Sequence, residues 1–166
     1  MKNNRFNKLL LIFTIVIFSA CGSSMSVAEK EQLVAEIDNG IKESDFTFKA
    51  TYAHPTGFKS VYLSPFYDVK ISADTVKAYL PYYGRAYTAT LDPSKGGYNF
   101  TSTDFDYNFS PGSKPGNWRV SIRFNDLDRH VQFNFDIWEN GSGRLSVNDV
   151  NRQTISFQGD IVTKKE

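Results

Sequence analysis

Val131-Gln132-Phe133-Asn134-Phe135-Asp136-Ile137-Trp138-Glu139-Asn140-Gly141-Ser142-Gly143-Arg144 is the stretch on which the fold turns. Apolar residues fall at every second position from Val131 to Ile137, and an Asn-Gly pair follows. A period of two marks a strand with one buried face. Asn-Gly after such a run is a strong hairpin signal, here a type I′ turn between Trp138 and Arg144. The same alternation recurs on both sides, in Phe46-Phe48-Ala50-Tyr52, Tyr67-Val69-Ile71, Phe105-Tyr107-Phe109, Trp118-Val120-Ile122-Phe124, Leu145-Val147 and Ile155-Phe157. Turn-forming clusters separate these runs: Pro55-Thr56-Gly57, Ala73-Asp74, 93–97, 111–116 and 125–128. The pattern predicts a mainly β fold, an antiparallel meander of about nine strands. A sheet of that size has to curl, close or split to manage its edges. A strongly curved sheet or lipocalin-like barrel is expected, with a two-layer β-sandwich as the alternative.

Upstream of the strands the period changes. Ser26 and Glu29 form the S-x-x-E capping pattern. Val27, Leu33, Val34, Ile37 and Ile41 then recur at helical spacing, and Gly40 offers a stop. An amphipathic helix is expected from Val27 to about Asn39, within the segment 27–41, packed on the β domain of 45–162 as one unit. Its polar face is acidic, unlike that of helices that lie on membranes. Residues 163–166 read as a frayed tail.

The N-terminus carries Lys2, Arg5 and Lys8, then an apolar run from Leu9 to Phe18 broken by Thr14, then Ser19-Ala20-Cys21. This is the layout of a secretory signal peptide over 1–20, and it is too short for a membrane span. Phe18-Ser19-Ala20-Cys21 resembles a bacterial lipobox, which makes Cys21 the expected lipidation site, followed by a short tether over 21–26. Cys21 is the single cysteine, so no intramolecular disulfide is available. Cleavage before it removes three basic residues and no acidic ones, taking the net charge from +1 to −2. Attachment to the cell envelope follows, with the periplasmic face of the outer membrane favoured because no acidic cluster trails the cysteine.

One octet is unusual in composition: Leu80-Pro81-Tyr82-Tyr83-Gly84-Arg85-Ala86-Tyr87 holds three tyrosines around one arginine. Pro81 belongs at a strand end and Gly84 at a positive φ, so the octet reads as a strand that stops, kinks and resumes. Tyr82, Tyr83, Arg85 and Tyr87 form a candidate binding surface. A guanidinium among aromatic faces gains about 0.5–2 kcal/mol per contact, and its planar fork suits a carboxylate or phosphate. The other reading pairs Arg85 with an internal carboxylate and makes the octet a lock on a corner of the sheet. The octet is similar to the Leu-Pro-Tyr-Phe-Gly-Arg-Ala-Tyr signature of the "domain of unknown function 4251" family, small predicted lipoproteins of Bacteroidales-type bacteria. Gly96-Gly97 with Phe100, Asn140-Gly141 and the stretch from Asn151 to Gly159 extend the resemblance over roughly Ala28 to Ile161. It implies membership and compartment and assigns no activity. Asp74-Thr75-Val76 also resembles the sites that carry O-glycans on exported proteins of such bacteria, which makes Thr75 a candidate.

No G-x-S-x-G, H-E-x-x-H or P-loop pattern occurs, and no enzymatic activity is expected. Asp126, Asp128 and His130 are spaced like ligands but lack the glycine and distal Glu of a calcium loop, so no metal or other cofactor is expected. The slightly negative mature charge and the lack of a basic patch argue against nucleic acid. The expected role is a membrane-anchored, non-enzymatic binding module for a small ligand or envelope protein. The alternative is a structural or assembly scaffold.

Overall fold

The computed structural model describes residues 25–87 and 96–163. The signal-peptide reading of 1–20, Cys21 and most of the expected tail lie outside the described residues. Helix α1 spans Val27–Lys42. Its capping box is formed: Glu29 N donates to Ser26 Oγ at 3.2 Å, and Ser26 N donates to the Glu29 carboxylate at 2.7 Å. The helix runs three residues past the expected Asn39, because Gly40 is not its stop. Gly40 is buried within the helix, and a Cβ there would stand 3.0 Å from the Asp45 carbonyl oxygen. The residue with positive φ is Ser44, at 55°, while Asp45 N donates to Gly40 O at 2.8 Å. Ile37 and Ile41 are buried, but Val27 faces solvent. Trp118 Nε1 donates to Asp38 at 3.1 Å, Tyr107 OH donates to Ile41 O at 2.7 Å, and Lys30 pairs with Glu139 at 3.3 Å, and these contacts seat α1 on the sheet.

Among the described residues ten strands follow: β1 (Phe46–Pro55), β2 (Val61–Tyr62), β3 (Asp68–Ile71), β4 (Val76–Leu80), β5 (Tyr98–Ser102), β6 (Phe105–Pro111), β7 (Asn117–Phe124), β8 (Val131–Trp138), β9 (Ser142–Asp149) and β10 (Arg152–Val162). They form one sheet in the order β5-β4-β3-β1-β10-β9-β8-β7-β6, with β2 added on β1. Every pairing is antiparallel. Following the directions from β1 both ways round, β5 and β6 run the same way. Only Thr103 and Asp104 separate them, so they act as one bent strand that pairs with β4 before the bend and with β7 after it. The sheet is therefore a nearly closed barrel, an antiparallel meander with one helix at its N-terminus. The sandwich alternative is not what forms.

The bend is held by one side chain. Asp126 accepts from Ser102 Oγ at 2.6 Å, Thr103 N at 2.9 Å and Asp104 N at 3.3 Å. These bonds, led by the one from Ser102, hold its carboxyl below the usual carboxylate range.

The predicted β8–β9 hairpin is present, but its turn is not type I′. Gly141 N donates to Trp138 O at 2.9 Å, and Gly141 has φ of 82° while Asn140 keeps a negative φ. The loop is a type I turn closed by a glycine in the left-handed region. Asn140 spends its side chain instead on Ser142, whose N and Oγ donate to it at 3.0 and 2.7 Å.

Inside the barrel the alternating residues meet. Phe133 lies edge-on to Tyr98, Phe124 and Phe135, and Phe46 and Phe48 pack on Phe135 from β1. The ring centroids of Phe100 in β5 and Phe124 in β7 lie 4.9 Å apart, edge to face, filling the barrel behind the bend. Such aromatic pairs are worth about 0.5–1.5 kcal/mol beyond their buried area.

Candidate functional site

Beyond Leu80 the octet leaves β4 and crosses to the start of β10. Ala86 forms a single bridge with Arg152, Tyr87 N donates to Asn151 O at 2.8 Å, and Gln153 N donates to Arg85 O at 3.0 Å. The octet is thus a strap, a strand that stops at Leu80 and resumes for one residue on a different partner. Gly84 makes the crossing possible. Its φ is 148°, and a Cβ there would stand 2.8 Å from the Tyr82 hydroxyl. That hydroxyl lies within bonding distance of two carbonyls, Arg85 O at 2.7 Å and Gln153 O at 3.0 Å.

Under the strap sits a second arginine, Arg152. The Arg152 guanidinium lies 4.8 Å from the Tyr82 ring centroid and 5.3 Å from that of Tyr98. It donates to Gly96 O at 3.2 Å and Gly97 O at 3.3 Å, and lies 3.8 Å from the Asp149 carboxylate. Arg129 approaches the same carboxylate at 2.9 Å. The Asp149 side chain is fully buried, and that of Arg152 is 4% exposed. Burial pushes the Tyr82 and Tyr98 phenols above their ordinary values, so both stay protonated.

The cationic centre caged by tyrosine is therefore Arg152, not Arg85. Tyr82 belongs to that cage, while Tyr83, Arg85 and Tyr87 are exposed on the strap. Among the described residues the Arg85 guanidinium has no ion pair or ring contact. One signal pointed at Arg152, the stretch from Asn151 to Gly159. Period two, counted back from Ile155, puts Arg152 on the outside. The pairing of β10 with β9 shifts between Arg152 and Ile155, and the shift turns Arg152 inward.

The remaining candidates scatter. Thr75 closes the turn between β3 and β4, half-buried, with its N donating to Ser72 O at 3.4 Å. His54 lies in β1, its Nδ1 2.7 Å from Ser60 Oγ. Asp126 serves the β5–β6 bend, and among the described residues no cluster of His, Cys, Asp and Glu could hold a metal.

A nearly closed β-barrel, capped by a helix and crossed by a strap latched over a buried Arg–Asp pair, defines the class of protein. The chain belongs to the family described as Domain of unknown function (DUF4251), which it matches over residues 28–161. A crystal structure of a DUF4251 family protein from Bacteroides eggerthii DSM 20697 has the same fold, with a TM-score of 0.58 at 12% identity, over 79% of this chain and 87% of that one. No functionally curated protein matches the chain.

Proposed function

We propose that this chain is a lipid-anchored protein of the cell envelope, held through Cys21 at the outer membrane and facing the periplasm. Its barrel serves as a non-enzymatic binding module that presents Tyr83, Arg85 and Tyr87 to an anionic ligand or envelope protein. The observation that supports this is the division of labour in the strap. Its backbone is fixed on β10 by bonds of 2.8 and 3.0 Å, while these three side chains are exposed. A guanidinium carried on a fixed backbone gives up less freedom on binding than one on a mobile loop, and its fork matches a carboxylate or phosphate.

Two measurements test the reading. In fractionated cells, Cys21→Ala is expected in the soluble fraction; a variant that stays with the membrane removes the anchor from the account. Titration of the full chain with tripolyphosphate, followed by tyrosine fluorescence, is expected to saturate and to weaken about tenfold in Arg85→Ala, a loss of about 1.4 kcal/mol. An equal response from both proteins, or none from either, leaves the strap as a purely structural element and favours the scaffold.

A further inference from the structure

The outer face of the barrel carries a feature separate from the strap. Register brings Asn108 of β6 opposite Ser121 of β7, Ser121 opposite Asn134 of β8, and Asn134 opposite Ser146 of β9. Ser146 stands opposite Ser156 of β10, and Ser156 opposite His54 of β1. From β6 to β10 small amide and hydroxyl side chains thus line up across neighbouring strands, one per strand, in steps of about 4.7–4.9 Å, and the row ends at the His54 ring on β1.

The row is recessed. Ser121, Asn134, Ser146 and Ser156 are half-buried, while longer side chains stand on both sides. On one bank are Arg119, Asp136, Arg144 and Gln158, with Arg119 and Asp136 paired at 3.3 Å. On the other, Arg123 pairs with Asp106 at 3.3 Å, and the Gln132 amide donates to Ser121 Oγ and Asn134 Oδ1, both at 2.9 Å. At the β6–β8 end the groove widens into a depression of about 380 Å³. At the β1 end it meets rings: Tyr52 stacks beside His54 with centroids 6.3 Å apart and planes 17° apart, and Tyr52 is 41% exposed.

The lining selects among ligands. The floor carries no charge, so it offers a polyanion no line of cations. It has no apolar stripe for an amphipathic helix, and it runs across the strands, so it offers no backbone edge to an added strand. Hydroxyls and amides repeated at one interstrand step match a chain of hydroxyl-bearing rings, each about as long as that step. An exposed tyrosine at the end suits the apolar face of such a ring, since its own polar tip can stay wet. We propose that this cross-strand groove binds a short neutral oligosaccharide, with its rings over Ser121, Asn134, Ser146 and Ser156 and its terminal ring towards Tyr52. Curvature of the barrel limits the bound segment to these central strands, three steps or about 14 Å.

The test is binding of the full chain to an array of neutral oligosaccharides. The array covers α- and β-linked glucose, galactose, mannose, xylose and N-acetylglucosamine, with polygalacturonate as an acidic comparison. Wild type is expected to bind at least one neutral sugar. Ser121→Tyr and Ser146→Tyr, which fill the floor with residues suited to strands, are expected to weaken that binding at least about tenfold at unchanged near-ultraviolet circular dichroism. Arg85→Ala is expected to bind the sugar as wild type does, which separates this groove from the strap. If a filled variant fails to fold, Asn134→Ala and Ser156→Ala decide the matter by the same criterion. Binding of polygalacturonate alone, binding of nothing, or folded floor variants that bind like wild type would overturn the proposal.

Discussion

The ring of Tyr82 lies against the guanidinium of Arg152, 4.8 Å away, while its hydroxyl reaches Gln153 O at 3.0 Å. One side chain of the strap thus touches both the buried charge and the backbone beside it. The strap covers the Arg152–Asp149 pair, and the pair gives the strap its seat. In a low-dielectric site, removing one partner of such an arrangement leaves the other exposed to its full desolvation cost.

Tyr82→Phe keeps the ring over Arg152 and deletes only the hydroxyl. The single proton within reach of the Arg85 and Gln153 carbonyls is lost. The cost should be about 1–3 kcal/mol. Amide exchange at Tyr87 and Gln153, whose N–H groups hold the strap, should accelerate while exchange in β7 and β8 stays unchanged. Uniform acceleration in all strands would show that the hydroxyl supports the whole barrel rather than the strap.

Asp126 gives the β5–β6 bend a pH dependence. Its folded-state carboxyl titrates below the usual range because Ser102 and Thr103 donate to it. A depressed carboxylate adds stability that is complete above the unfolded-state value of about 3.9. That stability is lost as pH falls through the lower folded value. Asp126→Asn should therefore lower the unfolding midpoint at neutral pH, and the gap from wild type should close on acidification below about pH 4. A gap that stays constant into acid would contradict this role.

Gly159 marks where β1 and β10 approach too closely for a side chain. A Cβ there would collide with the Lys49 carbonyl oxygen, beside the register shift between Ala50 and Tyr52. Backbone cannot swing aside as a side chain can. Gly159→Ala should cost at least about 1–3 kcal/mol, measured by urea unfolding at an unchanged slope. A midpoint equal to wild type would mean that the two strands part without penalty.

Much of the barrel was legible because its strands bury one face. The runs from Val131 to Ile137 and from Val120 to Phe124 place every second side chain in the core, and those side chains are buried. β5 was not legible. Its inward residues are Tyr98, Phe100 and Ser102, and the last is a hydroxyl that stays buried by donating to Asp126. β2 is two residues long and leaves no period to read. The capping box was plain, but Gly40 was read as a stop because a sequence does not distinguish a glycine that turns the chain from one that lets Asp45 and Phe46 come close. The octet was visible by composition, whereas the identity of its arginine partner was not. That depends on a register shift in β10, which follows from tertiary pairing rather than from local pattern.

Arg152 lies under the strap against Tyr82, whereas Arg85 is exposed on its outside. Thermal unfolding of wild type, Arg152→Ala and Arg85→Ala tests this division most directly. Breaking a buried pair costs about 3–5 kcal/mol, and each kcal/mol lowers the midpoint of a domain near this size by about 2–4 °C. Arg152→Ala should unfold on the order of 10 °C below wild type. Arg85→Ala, an exposed substitution, should stay within about 2 °C. The opposite order, with Arg85→Ala strongly destabilised and Arg152→Ala near wild type, would contradict the account.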